Sequence, residues 1–191
     1  MTFLPFLLIV VGTTFARHLH QESILTNLQQ HGNYSIMANL LGSANLDDVV
    51  DTTSPITVFA PTDDAFSQLP DALLVALQLP SLSPLTKSIL QYHIATSNIS
   101  MANIQPGRNI VVPSMLTGSS LWIVKDQDGN VKVNKEANVV DKDVVAKNSL
   151  IQGIDRVLTP SFTVVNLTAP LVITPIQGAF DFAQQLMPSQ G

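Results

Sequence analysis

The spacing of apolar residues differs between the two halves of the chain. Before residue 93, apolar side chains recur every three or four positions, which is typical of helices with one buried face. These groups are Ile24, Leu25 and Leu28; Ile36, Leu40 and Leu41; Leu73, Leu74 and Leu77; and Leu82, Leu85, Ile89 and Leu90. Gly32 and Gly42 follow the first two groups, and glycine is common just after a helix. The pattern therefore predicts helices in this half.

From Asn109 onward the apolar residues alternate or run continuously, which indicates strands. The strand candidates are IVV at 110–112, LWIV at 121–124, Val131 with Val133, Val139-Val140 and Val144-Val145. Asp128-Gly129 lies between the second and third candidates and predicts a hairpin with a type I′ turn, whose central residues need positive φ. We predict an α+β fold, with helices first and an antiparallel, strand-rich second half.

One segment, ITVFAPTDDAF at 56–66, joins a strand to a helix. Its first five residues are β-branched, aromatic or small, as in a strand buried on both faces. Pro61 ends that strand because it has no N–H to donate. Thr62 can cap the following helix with its hydroxyl, and Asp63 then lies where the helix dipole favours negative charge. Phe66 is predicted to return to the core.

A second segment, NSLIQGIDRVLTP at 148–160, predicts another short apolar strand, with Asp155 as its single acid. Between the two segments, Tyr92-His93 follows an amphipathic helix. These three landmarks, in this order, resemble those of the fasciclin domain, and the similarity extends over roughly residues 20–160. The resemblance implies a fasciclin-type β-wedge with a group of N-terminal and central helices.

The second segment departs from the family pattern at three positions. Ser149 stands where the family usually has glycine, Gln152 where histidine is usual, and Gly153 where a larger aliphatic residue is usual. A role that depends on that histidine is therefore not carried over to this chain.

The two ends of the chain are predicted to lie outside the domain. Residues 1–16 predict a secretory signal peptide, because a short apolar run ends in Thr14-x-Ala16, as at a signal-peptidase site. The run is shorter than the about 20 residues of a membrane-spanning helix, so we predict no membrane span. We assign 17–160 to the fasciclin domain and 161–191 to a C-terminal extension. A short helix is predicted in the extension from the shared face of Ile176, Ala179, Phe180, Ala183 and Met187.

Charge and cysteine content exclude several functions. The chain has a net charge of −5, with only nine Lys and Arg among 191 residues. No basic cluster is available to neutralise phosphates, which argues against nucleic acid as a partner. Cysteine is absent, so disulfides, thiolate nucleophiles and Cys-bound metals are excluded.

Three Asn-x-Ser/Thr sequons, at Asn33, Asn98 and Asn166, are candidate glycosylation sites in a secreted chain. Roughly two such sequons are expected by chance in a chain of this composition. Their number is therefore not evidence for secretion.

Patterns that indicate catalysis or metal binding are scarce. Asp63 and Asp64 are adjacent, but neighbouring helical residues point about 100° apart, so we favour capping over shared catalysis. No Gly-x-Ser-x-Gly elbow, His-x-x-x-His pair or glycine-rich phosphate loop occurs. We predict no catalytic residue, no metal site and no cofactor.

Tyr92-His93 has two interpretations. In animal fasciclin proteins this region has been linked to cell-surface receptor binding, so the resemblance implies a contact site. In the structural alternative, a strand entering the sheet buries Tyr92 against the helices, and His93 hydrogen-bonds an internal partner. We favour the structural alternative because the pair lies within the apolar run from Ile89 to Ile94.

Together these features predict a secreted, non-catalytic protein that acts in cell adhesion or organises an extracellular matrix or cell wall. Its expected partner is a cell-surface receptor, a matrix protein or a wall polysaccharide, and self-association is a further alternative. Two other functions stay open, a polysaccharide- or proteoglycan-binding module and an undetected hydrolase. Trp122 lies in a strongly apolar strand and only two tyrosines occur, so we do not expect an exposed aromatic platform for sugars.

Overall fold

A computed structural model describes residues 22–160, 162–164 and 173–175. The predicted signal peptide and the predicted helix of the C-terminal extension lie outside these residues. The α-helices are α1 (Ile24–Gln30), α2 (Ser35–Ser43), α3 (Asp47–Thr52), α4 (Asp63–Ser67), α5 (Asp71–Gln78) and α6 (Ser83–Tyr92). The strands are β1 (Thr57–Pro61), β2 (Ile94–Ala95), β3 (Asn109–Pro113), β4 (Ser120–Lys125), β5 (Val131–Val133), β6 (Ala137–Ala146), β7 (Ser149–Ile154), β8 (Phe162–Val164) and β9 (Ile173–Pro175). The α+β class is confirmed.

Seven strands form one sheet in the order β2-β1-β7-β6-β5-β4-β3, and β8 pairs with β9 separately. The sheet is nearly closed on itself, because a bridge between Ala95 and Ser114 joins β2 to the residue after β3. Two further hydrogen bonds support this closure, from Thr96 N to Pro113 O at 3.2 Å and from Met115 N to Ile94 O at 2.7 Å.

The two sequence segments of the family pattern lie side by side. β1 comes from the first segment and β7 from the second, and they pair in parallel from Thr57 opposite Leu150 to Pro61 opposite Ile154. Every residue of both strands is buried, as expected for a parallel pair covered on both faces. This explains why neither strand shows the alternation of a half-exposed strand.

The pleat of β1 divides the hydrophobic interior into two clusters. Val58 and Ala60 belong to a cluster that includes buried residues of α1, α2, α3 and α6. Phe59 points the other way, into a cluster enclosed by the wedge that includes Leu121, Ile123 and Val133. Because successive strand side chains face opposite sides, this one short strand contributes to both clusters.

Two expectations about local structure were wrong, and one helix was not predicted. Gly129 has positive φ (87°) but Asp128 is not among the positive-φ residues, so their hairpin does not contain a type I′ turn. Positive φ at two successive residues occurs instead at Asn134 (53°) and Lys135 (63°), between β5 and β6. Tyr92 ends a helix and does not enter a strand. No apolar pattern predicted α3, which buries only Val50.

Candidate functional site

His93, at the C-terminal end of α6, is only 1% exposed and connects that helix to the segment after β7. Its Nδ1 lies 2.8 Å from the carbonyl oxygen of Ile89, and its Nε2 accepts from the backbone N–H of Leu158 at 2.9 Å. Since Nε2 accepts, the proton of the neutral ring lies on Nδ1, which donates to Ile89. Burial lowers the pKa of His93 to about 4, although the hydrogen bond to Ile89 opposes the shift. Both ring nitrogens are therefore occupied within the chain.

Tyr92 is half-buried against the cluster inside the wedge, which corrects the expected packing against the helices. Its hydroxyl donates to the carbonyl oxygen of Ser120 at 3.3 Å and accepts from the side-chain amide of Asn134 at 2.8 Å. Burial raises the pKa of Tyr92, and the bond from Asn134 opposes the increase. The side chain thus connects the end of α6 to β4 and to the β5–β6 turn.

The acidic and capping residues of the first segment hold two helices. Thr62 is the N-cap of α4 and accepts from the N–H of Ala65 at 3.2 Å. Asp63 reaches a different helix: its Oδ1 accepts from the N–H of Ile36 at 2.9 Å, and its Oδ2 accepts from the hydroxyl of Ser35 at 2.9 Å. The N-cap residue of α2 forms no side-chain cap of its own, so Asp63 supplies that cap. Phe66 is 2% exposed and lies in the helical cluster.

Asp155 and Asn138 on β6 form hydrogen bonds with each other in both directions. Its two carboxylate oxygens accept from the backbone N–H of Asn138 at 2.7 Å and from its side-chain amide at 2.6 Å. The N–H of Asp155 donates back to the carbonyl oxygen of Asn138 at 3.1 Å. The carboxylate therefore fixes the end of β7 against β6.

Gln152, at the position where the family usually has histidine, is fully buried and hydrogen-bonded. Its Nε2 donates to Asp143 Oδ1 at 2.8 Å and to the carbonyl oxygen of Ile99 at 3.1 Å. Its Oε1 accepts from the N–H of Asp143 at 2.9 Å. Burial raises the pKa of Asp143, but hydrogen bonds from Gln152 and from the N–H groups of Met101 and Ala102 outweigh it and lower the pKa overall. The amide therefore links β7 to β6 and to the loop after β2.

Gly153 makes room for Tyr34. A side-chain carbon at residue 153 would overlap the Tyr34 hydroxyl and would lie 2.9 Å from Cβ of Asp141. The Tyr34 hydroxyl donates to the carboxylate of Asp141, and burial followed by this bond raises the pKa of the tyrosine. Gly153 on β7 thus leaves the space that the Tyr34 side chain occupies.

Two of the predicted glycosylation positions lie on the surface. Asn33 and Asn98 are both exposed, and the amide of Asn98 donates to the carbonyl oxygen of Asn148 at 3.1 Å. Asn166 lies outside the described residues.

Trp122 is 41% exposed on the outer face of β4, although its neighbours in the sequence are strongly apolar. Its cross-strand neighbour Val111 on β3 is 67% exposed, so the two form a continuous apolar surface. Lys135 places its Nζ 4.6 Å from the centre of the Trp122 ring. Burial alternates along β4, because Leu121 and Ile123 are buried and Trp122 between them is exposed. The sequence does not show this alternation, since all three residues are apolar.

The described residues contain no group of three or more His, Cys, Asp or Glu side chains placed to hold a metal ion. Over the same range, no single helix is long and apolar enough to cross a membrane. α5 and α6 meet the length and composition criteria only as a pair, across a bend of 104°.

Comparison with known proteins gives consistent matches. A fasciclin domain family model matches residues 32–160. Protein sll1483 of Synechocystis sp. is 38% identical over 127 residues, covering 66% of this chain and 67% of that protein. Immunogenic protein MPB70 of Mycobacterium bovis is 36% identical over 129 residues, covering 66% of this chain and 62% of that protein.

A solved domain pair from the insect cell adhesion molecule Fasciclin I matches with a TM-score of 0.63 and 22% identity. The match covers 72% of this chain and 50% of that one, so the chain spans about half of the solved molecule. At this identity the likeness shows the fold alone, and it confirms the expected β-wedge with its helices.

Proposed function

The chain belongs to the fasciclin domain family, and from that premise we propose that it is a secreted, non-catalytic protein that mediates cell adhesion or organises an extracellular matrix or cell wall. The exposed pair Val111 and Trp122 is the observation that carries this proposal. An exposed apolar pair on an outer sheet face suits contact with the apolar part of another macromolecule. Tryptophan is also enriched among the residues that contribute most to binding.

The motif residues support a binding function over a catalytic one. The polar side chains of the motif form hydrogen bonds that connect secondary-structure elements. This is the case for His93, Asp63, Asp143 and Asp155. A hydrolase needs titratable groups that converge on a polar cleft. Because these residues stabilise the fold, we expect the binding function to depend on other residues, on the outer surface.

Secretion is part of the same proposal. It is supported by the signal-like residues 1–16, and the exposed Asn33 and Asn98 would be accessible to glycosylation in a secreted chain. Mass spectrometry of the native protein should find an N-terminus near Arg17, whereas intact Met1 recovered from a cytosolic fraction would contradict secretion.

The adhesion proposal is tested by replacing Trp122 with serine and measuring binding of the full chain to cultured cells and to immobilised matrix proteins. Val145→Thr is the matched control, because Val145 is a strand residue that is 54% exposed on β6. We expect Trp122→Ser to weaken binding about tenfold or more, as for a central contact residue, with Val145→Thr close to wild type. Equal binding by all three proteins would remove this surface from the proposal.

A polysaccharide- or proteoglycan-binding module is the second candidate, and the exposure of Trp122 favours it. An exposed indole offers an apolar face with a polar edge to a sugar ring. Binding of wild-type protein to wall polysaccharides but to no protein or cell, again lost in Trp122→Ser, would select this candidate.

A further inference from the structure

A cleft of about 610 Å³ lies between α4, the loop into α5, the β5–β6 turn and the segment after β7. Its apolar lining includes Leu69, Leu73 and Val157, and Lys135, Glu136 and Arg156 contribute charged groups. A volume of this size falls within the range of about 300–1,000 Å³ that is common for ligand sites. The cleft combines an aliphatic surface with a polar, charged border.

The charge at this cleft is opposite to that of the whole chain. The protein carries a net charge of −5 and only nine Lys and Arg, yet two of these cations and a single carboxylate line the cleft. A guanidinium can bind a carboxylate through two parallel hydrogen bonds, and an ammonium adds a point charge. The border therefore favours an anionic group on the ligand.

Lys135 also connects the cleft to the Val111 and Trp122 surface, because its Nζ lies over the Trp122 ring. Its backbone has φ of 63°, a conformation that glycine adopts more readily than lysine. The lysine side chain at this turn can therefore be removed by a substitution that suits the backbone.

We propose that this cleft binds an extended peptide segment of a partner protein, in which an apolar side chain lies next to a carboxylate. The apolar side chain packs on Leu69, Leu73 and Val157, and the carboxylate binds Lys135 and Arg156. The cleft lining is aliphatic and offers no aromatic face for a sugar ring, so a peptide suits it better than a polysaccharide. This inference rests on the proposed function, because an adhesion protein requires a macromolecular partner.

The probe is a panel of fluorescent synthetic decapeptides in a Gly/Ser background, with one leucine or phenylalanine and two aspartates at all short spacings. Binding to the full chain is measured by fluorescence anisotropy. We expect at least one peptide to bind, and Lys135→Gly and Arg156→Gln each to weaken that binding about tenfold. Lys135→Glu should weaken it further and should prefer the peptide in which lysine replaces aspartate.

Lys147→Gly is the matched control. Lys147 also has positive φ (50°), and it lies in the β6–β7 turn, away from the residues that line the cleft. Both glycine variants lose one positive charge and relieve one left-handed backbone, so both should keep or raise the urea midpoint. Only Lys135→Gly should lose peptide affinity.

Two results would overturn the inference. One is that no peptide of the panel binds, including the case in which polygalacturonate binds through Lys135 instead. The other is that Lys147→Gly weakens peptide binding as much as Lys135→Gly. Adhesion assays separate this inference from the proposed function. Peptide binding through Lys135 by a protein that adheres to no cell or matrix supports the cleft and contradicts the adhesion function. Adhesion that Lys135→Gly leaves intact, with no peptide bound, contradicts the cleft alone.

Discussion

At the scale of single residues, His93 acts as an internal connector. One ring nitrogen holds the last turn of α6 and the other holds the N–H of Leu158, which is 65 positions away in the chain. This arrangement requires the neutral imidazole, because a protonated ring has no acceptor for the Leu158 N–H. Protonation would therefore disrupt the contact between the helix and the chain after β7.

His93 predicts a loss of stability in mild acid. Its folded pKa is about 4, below the ordinary value of 6.5, so the unfolded chain takes up the proton first as the pH falls. The contribution of the neutral ring is complete above pH 6.5 and is lost between that value and about pH 4. Between pH 7.5 and pH 5, wild type should lose about 2 kcal/mol of unfolding free energy through this group.

Urea unfolding at several pH values tests this expectation, with His93→Gln as the comparison. The variant is less stable at neutral pH but should lack the acid-dependent component that His93 contributes. Parallel pH profiles for the two proteins would mean that the ring is not held neutral.

Gly153 predicts a steric coupling with Tyr34. Gly153→Ala places a carbon 3.0 Å from Cζ of Tyr34 and against its hydroxyl, and overpacking of this kind costs about 1–3 kcal/mol. Tyr34→Phe in the same chain removes the hydroxyl and should recover part of that loss in urea melts. Additive effects of the two substitutions would contradict the coupling.

At the scale of elements, the segment 56–66 stabilises α2, a helix that precedes it in the chain. Asp63 and Asp64 both lie in the first turn of α4, and only Asp63 also caps α2. Asp63→Ala should therefore cost about 1–2 kcal/mol, while the matched control Asp64→Ala should stay within about 0.5 kcal/mol of wild type. Equal losses in urea midpoint would indicate that only the dipole of α4 matters.

The sequence predicted a helix or strand correctly where its local pattern of apolar and capping residues agreed with the burial of that element in the fold. β1 and the N-cap at Thr62 follow from an apolar run, a proline and a hydroxyl residue. The turn at Asn134-Lys135 was not predicted, because lysine is a poor residue for positive φ. The Asn134 side chain also stabilises the turn through hydrogen bonds with Trp122 N–H and the Tyr92 hydroxyl, which lie far away in the sequence. α3 was missed because its six residues bury one side chain and show no period.

At the scale of the whole molecule, the two segments that carry the family pattern form a fully buried parallel pair within the sheet. Their pairing joins residues more than 90 positions apart. Because both strands are buried on both faces, their largely apolar runs do not specify that register. The same limit applies to the links from Gln152 to Asp143 and from Asp63 to α2. Sequence reasoning identified the motif residues, and the structure supplied their partners.

The exposed surface was the least predictable part. Trp122 lies among apolar neighbours on β4, so its outward direction depends on the pairing with β3 and β5. The cleft brings together α4, the β5–β6 turn and the chain after β7, which are far apart in sequence. Both candidate contact surfaces are therefore products of the tertiary fold.

Tyr92 and His93 are expected to support the fold, while binding is expected elsewhere on the surface. The decisive experiment compares Tyr92→Phe and His93→Gln with wild type, with urea midpoints and binding to cells or matrix measured on the same preparations. We predict that both variants lose stability and that each folded molecule binds as wild type does. A variant with unchanged stability and abolished binding would show that the pair is itself the contact site.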